Sequence, residues 1–197
     1  MDLGRVAAYE PVAIAGEERD AAVIVPVLER TDGTHLLFIK RADHLGEHPG
    51  QMSFPGGGHE PRDGTLRDTA VREAGEEIGL GQDEIEFVGR LDDIRTTSRY
   101  AVTPYVARIP DRTYQPDQRE VSEVVVLPLA ALMDRENFEM EWREHPRFGR
   151  AAIHFFHVGE YTVWGATGRI LVQFLELATD WETPTEIDHV VDPDSEP

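Results

Sequence analysis

Three glutamates lie close together in residues 72–80, which read Arg-Glu-Ala-Gly-Glu-Glu-Ile-Gly-Leu. Residues three and four apart share one face of a helix, so Glu73, Glu76 and Glu77 project together if this stretch is helical. A divalent cation relieves their mutual repulsion, and magnesium commonly combines one or two carboxylates with water and substrate phosphates. Such a site can hold a phosphorylated substrate and activate water. The alternative is a solvated acidic helix face. Gly75 argues for the site, because an interior helical glycine is unfavourable unless something approaches it closely.

A glycine-rich run, Phe54-Pro55-Gly56-Gly57-Gly58, precedes the glutamates. Glycine lets a backbone come close to a ligand, and exposed amides and carbonyls can complete a metal or phosphate site. The run is not a P-loop, because no Gly-Lys-Ser/Thr follows it. By itself the run predicts a tight turn.

The hydrophobic pattern predicts the elements that must position these residues. The clearest helix covers residues 65–80, with Thr65 as its N-cap and Gly79 at its C-terminal end. A second helix is predicted at residues 167–179. Strands are predicted at residues 21–28, 35–41, 85–91, 101–109, 121–127, 136–142 and 151–158, a helical turn at 129–133, and loop at 42–64. The order of strands, helix, strands and helix indicates an α+β fold or a mixed-sheet α/β sandwich.

The length of 197 residues suits one domain of ordinary size. We place that domain at residues 1–181, with residues 1–19 irregular in part. Residues 182–197 carry six acids, no Lys or Arg, and three prolines. This composition predicts an acidic C-terminal tail that is disordered at its end.

Charge is the outlier in the composition. There are 38 Asp and Glu against 19 Lys and Arg, which gives a formal net charge of −19. This balance argues against general binding of nucleic acid or of an anionic membrane, since both require positive potential. No apolar run approaches the roughly 18 residues that span a bilayer. The N-terminus lacks the pattern of a signal peptide, and cysteine is absent, which excludes a thiol nucleophile. We expect a cytoplasmic enzyme or binding protein.

The acid excess and the single lysine, Lys40, suggest adaptation to high salt. Self-repulsion destabilises a compact state, and at molar salt the Debye length falls to about 3 Å, which screens that repulsion. A mesophilic acidic protein is the alternative.

Gly58 and Arg72-Glu73-Ala74-x-Glu76-Glu77-x-Gly79-Leu80 together resemble the Nudix box. The family pattern is Gly, five residues, Glu, seven residues, Arg-Glu-apolar-x-Glu-Glu-x-Gly-apolar. One position departs, because the family's first Glu falls on Gly64. The same departure occurs in the coenzyme A pyrophosphatase branch of Nudix hydrolases, and the residues upstream of Gly58 also resemble that branch. The matching upstream residues are Leu36, Leu37, Arg41, Leu45, His48, Gly50, Gln51, Phe54, Pro55, Gly56 and Gly57. A weaker resemblance continues at residues 89–93, 102–104 and 163–171, so that it covers about residues 21–180.

The resemblance implies an α/β/α sandwich with a mixed β-sheet, and metal-dependent hydrolysis of a pyrophosphate bond in a nucleoside diphosphate derivative. In the coenzyme A branch the substrate is CoA or acyl-CoA, and the products are 3′,5′-ADP and (acyl-)4′-phosphopantetheine. The implied cofactor is Mg²⁺ or Mn²⁺. The implied inner ligands are Glu73 and Glu77, with Glu76 as ligand or helper and the backbone of Gly57 or Gly58 as a further oxygen. Arg72 would orient the carboxylates, and the carboxylate that acts as the base stays unassigned.

Further residues are candidates for the same site. A fourth carboxylate from a distal loop often joins Nudix metal sites, and Glu120 or Glu123 could supply it. An acidic enzyme also needs local positive charge to hold a polyanion. The candidates for substrate binding are Arg41, His48, Gln51 and Arg95, of which the two arginines are the phosphate contacts we favour.

Several alternatives remain open at this stage. The substrate could be ADP-ribose or another nucleotide sugar, or the chain could be a catalytically silent Nudix module that senses nucleotides. His44-Leu45-Gly46-Glu47-His48 fits an inverted zinc protease signature, but Gly46 and Pro49 oppose the helix that this signature requires. A homodimer is also left open.

Overall fold

The computed structural model describes residues 1–46, 49–145, 149–185 and 189–191. These residues contain two sheets. The strands of the larger sheet are β1 Arg19–Arg30, β2 Gly33–Arg41, β3 Met52–Ser53, β4 Gly56–Gly58, β5 Glu86–Arg90, β6 Ile94–Arg95, β7 Tyr100–Arg108 and β8 Val121–Pro128. The smaller sheet comprises β9 Phe138–His145, β10 Gly149–Val158, β11 Tyr161–Val163 and β12 His189–Val191. The α-helices are α1 Leu3–Ala7, α2 Leu66–Ile78, α3 Leu129–Leu132 and α4 Gly165–Ala178, and short 3₁₀ turns cover Gln82–Glu84 and Arg135–Asn137.

Strand β1 lies in the middle of the larger sheet and organises it. One edge of β1 pairs in parallel with β7 over nine residues. The other edge pairs in antiparallel fashion, first with β4 at residues 21–23 and then with β2 at residues 27–30. This arrangement makes the sheet mixed and places the glycines of β4 beside its central strand.

Both faces of this sheet are covered, as the alternation along β2 shows. Leu37 and Ile39 join the core beneath α2, whereas Leu36 and Phe38 join the core beneath α4. Successive side chains of a strand point to opposite faces, so a strand buried on both faces becomes a continuous apolar run. The smaller sheet packs on the α4 side through residues such as Phe156. The α+β class and the α/β/α sandwich with a mixed sheet are therefore confirmed.

Helix α2 begins and ends at the predicted signals. The Thr65 hydroxyl accepts a hydrogen bond from the Asp68 amide at 3.2 Å, which caps the first turn. At the other end Gly79 adopts φ +65°, and its amide donates to the Gly75 carbonyl. Because the buried face contains Ala70 and Ala74, the helix lies close against the sheet.

The structure corrects the prediction of residues 42–64 as a loop. Two short strands lie within it, and β4 pairs with β1 where a tight turn was expected. Gly56 makes this pairing possible, because a Cβ there would lie 2.2 Å from the Ala22 carbonyl oxygen. Helix α1 was also not predicted; its N-terminal turn is capped by the Asp2 side chain.

The division of the chain at residue 181 stays a prediction. Within the acidic segment, β12 pairs in parallel with β9, and Val190 lies opposite Trp142. Among the described residues, no helix is both long enough and apolar enough to cross a membrane.

Candidate functional site

Glu77 is buried at the point where α2 meets the glycine strand β4. The residue is 3% exposed, and its Oε2 accepts a hydrogen bond from the Gly56 amide at 2.9 Å. Burial raises the pKa of Glu77 to about 8, against the lowering effect of this hydrogen bond. The negative charge of Glu73 raises this pKa further. The folded protein therefore contains a buried carboxylate whose negative charge is not fully balanced by its neighbours.

Glu73 lies one helical turn earlier on α2 and packs directly against β4. A Cβ at Gly57 would lie 2.6 Å from Glu73 Oε1, so only glycine leaves room for this carboxylate. Burial also raises the pKa of Glu73, whereas its hydrogen bond to Arg72 opposes that shift. Two adjacent, largely buried carboxylates therefore face the glycine strand.

Arg72 uses all five of its N–H donors to hold this region together. Its Nε and Nη2 each donate to Asp63 at 2.9 Å, and Nη2 also donates to the Gly58 carbonyl at 2.9 Å. Its Nη1 donates to Glu73 at 2.8 Å and to Glu76 at 3.0 Å. Arg72 thereby connects the strand, the loop and the helix.

Sequence reasoning missed Asp63, which is the principal partner of Arg72. Its side chain is 4% exposed and also accepts hydrogen bonds from the Thr69 hydroxyl and the Glu60 amide. The hydrogen bonds from Arg72 hold the pKa of Asp63 well below its ordinary value. The sequence contained a signal for it. The Nudix pattern has a Glu where this chain has Gly64, and this chain carries a carboxylate one residue earlier, at Asp63.

Glu76 is the exposed member of the glutamate triplet. Its side chain is 50% exposed, and it accepts hydrogen bonds from Arg62 at 3.1 Å and from Arg72. Gly75 beside it is exposed, and a Cβ there would meet only the Leu80 carbonyl oxygen, at an ordinary 3.6 Å. The close approach that we expected at Gly75 is absent from the described residues.

Glu120, rather than Glu123, lies close to the paired carboxylates. The charge of Glu120 raises the pKa values of both Glu73 and Glu77. Its carbonyl accepts a hydrogen bond from the Ala42 amide at 2.9 Å, which ties its loop to the end of β2. Glu123 instead accepts a hydrogen bond from the Tyr161 hydroxyl at 2.8 Å.

Arg41 and Gln51 lie on neighbouring segments at the end of β2. The positive charge of Arg41 lowers the pKa of Glu77, and the Arg41 Nε is buried without a hydrogen-bond partner among the described residues. The Arg41 amide donates to the Gln51 carbonyl at 3.0 Å. On α4, a Cβ at Gly165 would lie 3.4 Å from the Gln51 Nε2. His48, the third candidate in this segment, lies outside the described residues.

Arg95 forms an ion pair with a carboxylate outside the glutamate triplet. Its Nε lies 3.0 Å from Glu17, whose side chain is only 4% exposed, and its carbonyl accepts a hydrogen bond from Arg169 at 3.2 Å. An incoming phosphate would have to share this cation with the Glu17 carboxylate.

The donor set fits a hard divalent cation. Among the described residues no three carboxylate or imidazole side chains form a closed metal-ligand group. Magnesium needs only one or two protein carboxylates, however, and burial, which raises the pKa values of Glu73 and Glu77, disfavours their charged forms in the absence of a cation. A cation between these two residues would supply positive charge.

The described residues oppose the zinc protease alternative. Residues 42–46 are not helical, and the His44 Nε2 lies 3.0 Å from the Arg119 carbonyl. The helix that would place two histidines on one metal does not include His44.

Comparison with known proteins identifies the family. The NUDIX domain model matches residues 18–150, which is more than half of the chain. This chain belongs to the Nudix hydrolase family. A protein named "uncharacterized Nudix hydrolase NudL" from Yersinia enterocolitica is 32% identical over 166 residues, covering 82% of this chain and 83% of that protein. A protein of the same name from Enterobacter sp. is 34% identical over 157 residues, covering 78% and 79%.

A solved structure supports the fold of this Nudix hydrolase. A MutT/nudix family protein from Enterococcus faecalis superposes with a TM-score of 0.57 at 17% identity, covering 85% of this chain and 64% of that one. At this identity the likeness concerns the fold alone. Family membership makes hydrolysis of pyrophosphate bonds in nucleoside diphosphate derivatives the reaction class of this protein.

Proposed function

We propose that this Nudix hydrolase cleaves the pyrophosphate bond of CoA or acyl-CoA, giving 3′,5′-ADP and 4′-phosphopantetheine or its acylated form. The observation that carries the proposal is the approach of Gln51 to Gly165. These residues belong to two separate segments in which the sequence resembles the coenzyme A branch. Their approach, next to Arg41 at the end of β2, is what a single substrate site built from both segments requires.

We assign the metal site to Glu73 and Glu77, with Glu120 close by and Glu76 as a helper. Mg²⁺ or Mn²⁺ bound there would neutralise phosphate charge and act as a Lewis acid. The backbone oxygen of Gly57 is a further candidate donor. Glu73 and Glu77 are the desolvated carboxylates of the site, and one of them accepts a proton from the attacking water. Arg72 positions Glu73 through its hydrogen bond.

We assign phosphate binding chiefly to Arg41. Its positive charge lowers the pKa of Glu77, so this cation is close enough to the proposed metal site to contact an anion there. Arg95 can contribute only by sharing Glu17. Gln51 and His48 complete the proposed substrate contacts, because the motif that resembles the coenzyme A branch contains both.

The substrate assignment is tested by kcat/KM for CoA, acetyl-CoA, ADP-ribose, NADH and a diadenosine polyphosphate, each with Mg²⁺ and with Mn²⁺. We expect CoA or acetyl-CoA to give the highest value. A higher kcat/KM for ADP-ribose would overturn the substrate assignment and leave the reaction class intact.

The same panel separates an enzyme from a silent sensing module. We expect Glu77→Gln to lower kcat by at least about 100-fold while the protein stays folded, because it removes a carboxylate from the reacting centre. The matched control is Glu86→Gln, a change on exposed β5 that should alter kcat less than about twofold. Binding of CoA or ADP-ribose without turnover by the wild type would favour the sensing module.

A further inference from the structure

A pocket opens on the α2 side of the larger sheet, and its lining contains neither Glu73 nor Glu77. Its volume is about 310 Å³, and its lining residues are Arg67, Phe87, Val88, Gly89, Arg90 and Tyr105. Arg67 stands in the first turn of α2, ten residues before Glu77. At a rise of 1.5 Å per residue, this separation is about 15 Å along the helix axis. The pocket therefore shares no residue with the proposed catalytic site.

The lining is rich in hydrogen-bond donors and contains no carboxylate, although acids outnumber bases twofold in this chain. Arg67 lies over the Phe87 ring, with its guanidinium carbon 4.0 Å from the ring centroid. This stacking uses the flat face of the guanidinium and leaves the in-plane N–H donors available. In the described part of the chain, Arg67 has no ion-pair partner.

Arg90 and Tyr105 supply further donors. The Arg90 Nε is buried and has no hydrogen-bond acceptor among the described residues, whereas its Nη2 donates to Asp93 at 2.5 Å. Because 30% of the Arg90 side chain is exposed, a ligand in the pocket can contact Arg90, although not through its buried Nε. Burial raises the pKa of Tyr105, which keeps its hydroxyl protonated and able to donate.

We propose that this pocket binds the phosphate group of a small phosphorylated ligand, no larger than a mononucleotide. The planar fork of arginine donors matches the oxygens of a phosphate. The volume lies at the lower end of the range of about 300–1,000 Å³ that is typical for small-molecule sites. Two sources share this chemistry, inorganic phosphate and the phosphate of a mononucleotide. A nucleotide would gain additional contact with the Tyr105 ring.

The proposal is tested by calorimetric titration with inorganic phosphate, AMP and adenosine at low ionic strength in EDTA. The chelator removes metal, so the carboxylate site cannot bind phosphate through a cation. We expect phosphate, AMP or both to bind at one site, and adenosine to bind at least about tenfold more weakly than AMP. AMP that binds much more tightly than phosphate would identify a nucleotide site, and equal affinities would identify a phosphate site.

Variants assign the binding to this pocket. We expect Arg67→Gln to raise Kd at least about tenfold and Tyr105→Phe to raise it less. The matched control is Arg108→Gln, an exposed arginine of β7 that pairs with Glu86 outside the pocket, and it should change Kd less than about twofold. The proposal is overturned if neither phosphate nor AMP binds below about 10 mM, if adenosine binds as tightly as AMP, or if Arg67→Gln binds like the wild type. The outcome is independent of hydrolysis, so it leaves the proposed function untouched.

Discussion

Burial of the Glu77 carboxylate opposes folding of the metal-free protein. This carboxylate is buried beside Glu73 and receives one backbone hydrogen bond, from Gly56. A carboxylate in this environment prefers to be neutral, which is why its pKa is raised to about 8. A residue chosen only for stability would carry no charge at this position.

We therefore expect Glu77→Gln to stabilise the metal-free protein at pH 8. The pKa of Glu77 is higher in the folded state than its ordinary 4.5, so protonation favours folding. The stabilisation that comes from protonation of Glu77 is fully present below about pH 4.5 and is lost as the pH rises towards 8. The Glu77→Gln variant stays neutral at this position and should be more stable than the wild type by about 4 kcal/mol at pH 8 and by about 1 kcal/mol at pH 5. Urea denaturation in EDTA at both pH values measures this difference, and an equal gap at the two pH values would contradict the explanation.

Asp63→Asn should destabilise the protein, because it leaves the Arg72 guanidinium without its principal buried partner. We expect a loss of about 3 kcal/mol in unfolding free energy at pH 7. The pKa of Asp63 is depressed, so the stability it contributes is present above its ordinary pKa of 3.8 and declines as the pH falls below that value. Asp111→Asn, which breaks an exposed pair with Arg30, is the control and should cost less than about 1 kcal/mol. Similar losses for both variants would argue against a special role for Asp63.

At the scale of elements, the site is the junction between strand β4 and helix α2. The strand contributes glycines at which the helix carboxylates can lie against the backbone, and the helix contributes the carboxylates. Hydrogen bonds join the helix to both ends of this strand. Arg72 donates to the Gly58 carbonyl, and Glu77 accepts from the Gly56 amide.

Two glycines of this junction should respond in opposite ways to alanine. In Gly57→Ala the new Cβ displaces the Glu73 carboxylate, the flexible end of a side chain, so kcat should fall at least about tenfold with little loss of stability. Gly75→Ala meets only ordinary contact and should raise the unfolding free energy by about 0.5–1 kcal/mol with activity retained. Turnover and urea denaturation of both variants provide the measurements. An inactive Gly75→Ala would show that a ligand approaches that position.

The whole molecule is dominated by its net charge of −19. Many arginines are already paired with carboxylates, for example Arg30 with Asp111 and Arg108 with Glu86. Exposed pairs of this kind contribute little, so the excess acids leave a net repulsion that salt can screen.

We expect Tm to rise by about 5 °C or more between low salt and molar KCl, because the Debye length shortens to about 3 Å. Differential scanning calorimetry across a KCl series checks this, with tetramethylammonium chloride to separate screening from a specific effect of potassium. A Tm that is flat or falls would remove the support for adaptation to high salt.

The sequence by itself was sufficient for the parts of this protein that depend on local signals. The cap at Thr65, the end at Gly79 and the helical spacing of the glutamates act within one element, so α2 and its carboxylates could be predicted. The long strands were predictable for a similar reason, because a strand covered on both faces is a continuous apolar run.

Only the tertiary structure decided how those parts meet. It placed β4 against β1, paired Arg72 with Asp63, brought Glu120 rather than Glu123 near the buried carboxylates, and left Glu76 exposed beside two arginines. Burial and charge compensation depend on neighbours contributed by distant segments, and no local pattern records which segments those are. The same side-chain type, glutamate, therefore became a buried carboxylate at one position and an exposed ion-pair partner one residue earlier.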